Sequence, residues 1–343
     1  MESWGGGING REICHSDIFE KIISLENLFS AWQEFSDGKM KKADVLQFKS
    51  RLEDNIFQLH RELKSKSYQH SHYTAFTVCD PKLRRIHKAI VKDRVLHHAI
   101  FRILYPIFDK SFIYDSYSCR VEKGTHRAVK RLESFLTKSR NIFALKCDIR
   151  KFFDSIDQEI LLNLIKIKIK DENVFWLIEA IIKSFPIGLP LGNVSSQLFA
   201  NIYLNELDQF AKHSLKEKYY IRYCDDFVIL SDNENYLKNL IPTIDNFLRE
   251  NLKLNLHPNK VIIRKYRQGI DFLGYVVLPH HKVLRTKTKK RMFRKLDEKY
   301  VKLKSGAISE DSFNSSFQSY LGVLKHCEGY GIEAFLKRSF RKG

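Results

Sequence analysis

What this chain lacks narrows its class before any motif does. Its six cysteines (Cys14, Cys79, Cys119, Cys147, Cys224 and Cys327) are scattered, with no CxxC pair. That spacing argues against a zinc site or a disulfide framework and points to a reducing compartment. No uncharged apolar run approaches the roughly 20 residues needed to span a bilayer. The opening residues, MESWGGGINGREICHSD, hold no basic segment followed by an apolar stretch. A secretory signal is therefore not expected, and a soluble, cytoplasmic protein is. Internal repeats and long low-complexity segments are absent as well.

Positive charge is what the chain has in excess. Lys and Arg number 59 against 40 Asp and Glu, a formal charge of +19. An excess of that size favours a polyanionic partner, nucleic acid first and an anionic membrane surface second. A hydrophobic content of 43% and an aromatic content of 13% fit a folded chain rather than a disordered one. At 343 residues there is room for two or three lobes, each with its own core.

Periodicity supplies the elements. The glycine-rich start, Gly5 to Gly10, reads as flexible, and residues from about Ile18 to Leu63 show helical spacing. Two strand-like runs flank the turn signal Asp80-Pro81 and predict a basic hairpin. A helix follows over Val91 to Leu104. From Ile142 the order is strand, helices, strand, strand, helix, strand, with Asp157 placed to cap a helix. That order predicts a split βαβ, the ferredoxin-like sandwich of an antiparallel sheet on two helices. GIDFLGYVVL adds a strand pair. Beyond Pro279, Lys282, Arg285, Lys287, Lys289, Lys290, Arg291, Arg294 and Lys295 crowd together with no acid among them, and a basic helix is expected.

The segment YYIRYCDDFVILS, Tyr219 to Ser231, sets two aspartates between strand-forming runs. Asp225-Asp226 has a plain reading as an exposed hairpin turn. Its alternative depends on the strand ending at Asp148 lying beside that hairpin. Three carboxylates would then converge, and clustered carboxylates hold hard cations such as Mg²⁺, two of which can clamp a phosphoryl transfer. Cys147 and Cys224, next to these acids, read as small packed strand residues.

Those residues carry a resemblance. YCDD (Tyr223 to Asp226) resembles the YxDD box of reverse transcriptases, and LKCDIRKFFDSID resembles their first catalytic box. IGLPLGNVSSQLFANIYLNELD is similar to the box supporting the templating base pair. HPNK and FLGY are similar to the two later boxes. KLRRIHKAIVKDRVLHHAIFRILYPIF and DSYSCRVEKGTHRAV resemble the fingers boxes of the bacterial, intron-like branch. Together the boxes cover about residues 75 to 280 in the family's order.

The resemblance implies an α+β right-hand polymerase fold. Fingers would occupy residues 1–140, a ferredoxin-like (RRM-like) palm 141–278, and a basic helical thumb 279–343. It implies RNA-directed DNA polymerase activity with two Mg²⁺ ions held by Asp148, Ile149, Asp225 and Asp226, and Lys260 as the acid for the leaving group. Nucleotide contacts would come from Arg84, Arg85, Lys88, Phe153 (the steric gate against a 2′-hydroxyl), Leu191, Gly192 and Gln197. Lys287, Lys289, Lys290, Arg291 and Arg294 would grip primer–template phosphates. Expected partners are template RNA, a DNA primer or RNA–DNA hybrid, and deoxynucleoside triphosphates.

Departures refine the branch. Most reverse transcriptases have Gln-Gly and then Ser-Pro in the third box; here Leu191-Gly192 is followed by Ser196-Gln197. That form is similar to the reverse transcriptases of diversity-generating retroelements, which copy a template RNA with errors at adenines. Their partner is a small, basic, pentameric accessory protein. The short stretch after the thumb fits that branch and is expected to hold no maturase domain. Alternatives are a defence-type reverse transcriptase and a degenerate polymerase fold that binds RNA.

Overall fold

The computed structural model describes residues 17–79, 82–137 and 142–340. The glycine-rich start, Cys14 and the Asp80-Pro81 turn lie outside the described residues. Four helices come first: α1 (Ile18–Ile23), α2 (Leu25–Ser36), α3 (Ala43–Lys49) and α4 (Leu52–Lys64). Helical spacing over Ile18 to Leu63 thus resolves into four pieces. Ser24 ends one helix and caps the next, its hydroxyl accepting from the Asn27 N–H at 3.2 Å, and Gly38 takes a left-handed φ of 64°.

The hairpin strands β1 (Thr74–Cys79) and β2 (Leu83–Lys88) follow, then α5 (Val91–Asp109), α6 (Thr125–Leu136) and β3 (Phe143–Asp148). Next are α7 (Phe152–Ser155), α8 (Gln158–Lys168), α9 (Glu172–Lys183) and α10 (Val194–Gln209). Asp157 caps α8 as expected, accepting from the Glu159 and Ile160 N–H groups at 3.0 Å each. The helical path changes at Phe210, where a π turn (Phe210–Ser214) succeeds α10. Then come β4 (Tyr220–Tyr223), β5 (Asp226–Ser231), α11 (Glu234–Leu252) and β6 (Ile262–Lys265). The chain ends with β7 (Ile270–Phe272), β8 (Tyr275–Val277), β9 (Lys282–Leu284), α12 (Thr286–Lys304), α13 (Glu310–Leu324) and α14 (Tyr330–Phe340).

Two compact units share these elements. The first comprises Met1–Phe112, Lys151–Glu206 and Leu252–Leu254; the second comprises Ile113–Arg150, Leu207–Asn251 and Asn255–Gly343. In the first, α2 packs along α5, and Asn27 ties them by donating from its side-chain nitrogen to the Ala99 carbonyl.

The second unit is built on an antiparallel sheet in the order β4-β5-β3-β6. Central β3 and β5 are flanked by β4 and β6, the ferredoxin-like order the split βαβ predicts. Strand alternation sorts its side chains. Ala144, Ile221, Val228 and Leu230 join a buried cluster with α6, the β7-β8-β9 sheet and α12 to α14. One core therefore runs from the sheet to the terminal helices.

The basic stretch after Pro279 corrects one expectation. It opens as strand β9, and the helix begins only at Thr286. Lys282 and Arg285 meet acids from distant segments, Glu133 at 2.8 Å and Asp271 at 2.7 Å. A local charge count could not find those partners.

Candidate active site

The carboxylates sit where β3 ends and β5 begins. In the register of these neighbouring strands, Asp148 stands directly opposite Asp226. Directly opposed positions place Cβ atoms about 5 Å apart. Asp225 belongs to the turn joining β4 to β5, and the Ile149 N–H donates to its carbonyl at 3.2 Å. The adjacency on which convergence depended is therefore present. Past Asp148, a bridge between Ile149 and Leu256 continues the pairing, with the His257 N–H on the Asp148 carbonyl at 2.8 Å.

Two lysines take up these acids. Lys260 Nζ lies 2.5 Å from Asp148 Oδ1, and Lys146 Nζ lies 3.1 Å from Asp226 Oδ2. The other Asp226 oxygen, Oδ1, is buried with no hydrogen-bond partner. Burial, and then the charge of Asp148, holds the Asp225 carboxyl above the usual range. Burial also pushes Asp226 up to about 6 against the pull of Lys146. Among the described residues, no three His, Cys, Asp or Glu side chains are gathered closely enough to hold a metal ion. The set expected from sequence thus shares one sheet end without forming a closed cage. Its chemistry still suits a hard divalent cation: every donor is oxygen, one is buried and unpartnered, and burial and repulsion have raised two of the acids.

Lys146 was not foreseen, although strand alternation signals it, since residues 146 and 148 share a face. The buried pair Arg222–Asp208 was also missed; a strand arginine between Ile221 and Tyr223 reads locally as a solvated charge. Cys147 is fully buried and burial pushes its thiol up, in keeping with a packing role. Burial raises the Cys224 thiol too.

The nucleotide-contact candidates from segments 84–88, 153 and 191–197 belong to the first unit. Gly192 adopts a φ of 114°, and a Cβ there would come within 2.8 Å of Ile86 Cγ2. Hydrogen bonds join the same segments: the His87 N–H donates to the Leu191 carbonyl at 3.0 Å, and Asn193 Nδ2 to the His87 carbonyl at 3.4 Å. Leu191 is half-buried and Gln197 exposed. Phe153 is half-buried against Phe152, with ring centroids 5.3 Å apart. Its carbonyl accepts from the Leu189 N–H at 2.8 Å, and a Cβ on Gly188 would meet that oxygen at 2.2 Å. Lys88 pairs with Asp44 at 2.6 Å, whereas Arg84 and Arg85 are exposed.

On α12, Met292 and Leu296 face the core while Lys287, Lys289, Lys290 and Arg294 are exposed. Arg291 is half-buried, and Arg294 meets Glu298 at 3.6 Å.

Residues 78–277 match the family described as reverse transcriptase (RNA-dependent DNA polymerase). The chain is 24% identical over 341 residues to the group II intron-encoded protein LtrA of Lactococcus lactis, covering 77% of this chain and 55% of LtrA. It is 26% identical over 239 residues to protein YkfC of Escherichia coli, covering 57% of this chain and 63% of YkfC. A putative COX1/OXI3 intron 2 protein of Saccharomyces cerevisiae is 22% identical over 252 residues, covering 54% of this chain and 29% of that protein. The chain thus spans less than two thirds of the length of these relatives. Among solved structures, telomerase from Candida tropicalis, in complex with a fragment of telomeric RNA, superposes with a TM-score of 0.50 at 13% identity, covering 79% of this chain and 55% of that one. The fold is the α+β right-hand polymerase fold. With its family match covering residues 78–277 of 343, this chain is a member of the reverse transcriptase family.

Proposed function

We propose that the chain is an RNA-directed DNA polymerase that extends a DNA primer on an RNA template. The register pairing Asp148 with Asp226, with Asp225 in the adjoining turn, carries this reading. Asp148, Asp225 and Asp226, with the backbone of Ile149, would hold two Mg²⁺ ions, whose chemistry is to neutralise triphosphate charge and acidify the attacking hydroxyl. Lys260 would give a proton to the departing pyrophosphate. Phe153 excludes a 2′-hydroxyl, and Arg84, Arg85 and Lys88 bind the triphosphate. Leu191, Gly192 and Gln197 line the nascent pair, and Lys287, Lys289, Lys290, Arg291 and Arg294 bind backbone phosphates. Fingers, palm and thumb are assigned to residues 1–140, 141–278 and 279–343.

The finer reading is a diversity-generating retroelement enzyme that makes adenine-directed errors while copying its template RNA, for mutagenic retrohoming with a small pentameric accessory protein. Leu191-Gly192 followed by Ser196-Gln197 supports it. A second reading, action on an intron RNA, draws on the intron-encoded relatives.

Extension of a DNA primer on an RNA template with Mg²⁺ and deoxynucleotides tests the activity. Asp225→Asn is expected to lower the rate by about a thousandfold or more while RNA binding persists. Equal rates for the two proteins would end the polymerase reading. Sequencing the product cDNA tests the retroelement reading: misincorporation spread evenly over all four template bases would overturn it.

A further inference from the structure

Tyr220 and Arg222 alternate onto the surface of β4 that meets the end of α10. Arg222 is a cation that a strand pattern alone would leave in solvent, yet it is wholly buried, as is Asp208. Its Nε donates to Asp208 Oδ1 at 2.7 Å and its Nη2 to Asp208 Oδ2 at 2.6 Å. Nη2 also reaches Ser116 Oγ at 3.1 Å, and the Tyr220 hydroxyl donates to Asp208 Oδ1 at 2.7 Å.

The remaining arm points at the turn. Arg222 Nη1 donates to the Cys224 carbonyl at 3.1 Å. Cys224 adopts a left-handed φ of 55°, a conformation that costs a residue with a Cβ and persists only where the surroundings enforce it. The next carbonyl, that of Asp225, is held by the Ile149 N–H. Backbone bonds from Arg222 N–H to the Asp115 carbonyl and from Tyr117 N–H to the Arg222 carbonyl, 3.0 Å each, close the outer edge of β4. Stability alone is a weak reason for such a pair, since buried ion pairs are often replaceable by apolar residues. A directed bond to a strained turn carbonyl is something an apolar pair cannot supply.

We propose that the Asp208–Arg222 pair is a positioning brace: by holding the Cys224 carbonyl it fixes the orientation in which Asp225 is presented to a divalent cation. This inference rests on the reading of Asp225 as a cation ligand. The test is Mn²⁺ binding to the full chain without nucleic acid, followed by electron paramagnetic resonance, with thermal unfolding and RNA affinity measured alongside. Arg222→Lys keeps the charge opposite Asp208 but lacks the planar fork. It is expected to weaken Mn²⁺ binding about tenfold or more, with RNA affinity unchanged. Where that variant does not fold, Ser116→Ala, which removes one anchor of the guanidinium and spares the ion pair, is expected to weaken it at least about twofold. Wild-type Mn²⁺ affinity in whichever variant is read removes the brace alone. A wild type that binds no Mn²⁺, or Asp225→Asn binding as tightly as wild type, removes the cation reading and the brace with it.

Discussion

Single residues decide the strain and charge of this molecule. Gly188 and Gly192 both hold positive φ, yet their surroundings differ. The carbonyl of Phe153 confronts Gly188, whereas a side-chain methyl, Ile86 Cγ2, confronts Gly192. Backbone cannot give way and a side chain can. Gly188→Ala is therefore expected to destabilise by more than Gly192→Ala, which costs about 1–3 kcal/mol. Combining Gly192→Ala with Ile86→Ala should relieve the steric clash and leave the backbone strain. Urea denaturation of the four proteins measures both differences. Charge works similarly at His97. It is buried, bonded to Ser195 Oγ and to His70 Nε2 at 3.2 Å each, and burial, then its neighbour His70, lowers its pKa to about 3. The unfolded chain, with histidine pKa about 6.5, takes up the proton first. Stability present above that value is then lost as pH falls, by about 1.4 kcal/mol per pH unit for this residue until the folded pKa is reached. Denaturation between pH 7.5 and 5 should show a steeper decline for wild type than for His97→Gln; equal slopes would count against it. At Leu191, an aliphatic side chain stands where most of the family has glutamine. Under the retroelement reading proposed above, Leu191→Gln is expected to reduce misincorporation opposite adenine severalfold, read by sequencing cDNA, and an unchanged error spectrum would remove Leu191 from that proposal.

At the scale of elements, amphipathic division explains most of the architecture. Helix α12 buries Met292 and Leu296 and exposes Lys287, Lys289 and Lys290, so one helix can anchor to the core and still present positive charge to solvent. Changing Lys287, Lys289, Lys290 and Arg294 together to glutamine is expected to leave the melting temperature nearly unaltered. Primer–template affinity should fall, and the salt slope should shrink by about 0.7–0.9 for each phosphate that is no longer neutralised. Fluorescence anisotropy across a salt series reads both; an unchanged slope would mean these side chains do not meet nucleic acid. The β7-β8 hairpin shows what element-level reading catches and what it misses. FLGY reads as a strand pair, and its turn at Leu273 and Gly274, with φ of 50° and 89°, matches the twist of a tight two-residue hairpin. Strand β9 escaped, because three residues inside a basic run carry too little pattern to separate from a helix start. The long helical stretch before Leu63 likewise concealed three breaks. A serine and a glycine mark two of them, but helical spacing of apolar residues persists across short interruptions.

Across the whole molecule, Lys and Arg outnumber Asp and Glu by 19, while the candidate site is built on three aspartates. Composition, the order of elements and the motif boxes are all local properties, and they were legible without coordinates. They gave the reverse transcriptase resemblance, the ferredoxin-like strand order and the candidate aspartates, because alternation and turn residues are written along the chain. Burial and long-range pairing are not written that way. Only the tertiary structure showed that Lys146 and Lys260 sit on the carboxylates, that Asp208 neutralises an arginine inside the sheet, and that Gly192 packs against Ile86. Each joins segments far apart in sequence except the Asp208–Arg222 pair, 14 residues apart, where a helix end and a π turn intervene. The sequence determined which side chains could perform this chemistry; the fold decided which are buried, paired and held. A charge's energy depends on its neighbours in space and on the water it has lost, and neither is set by position along the chain.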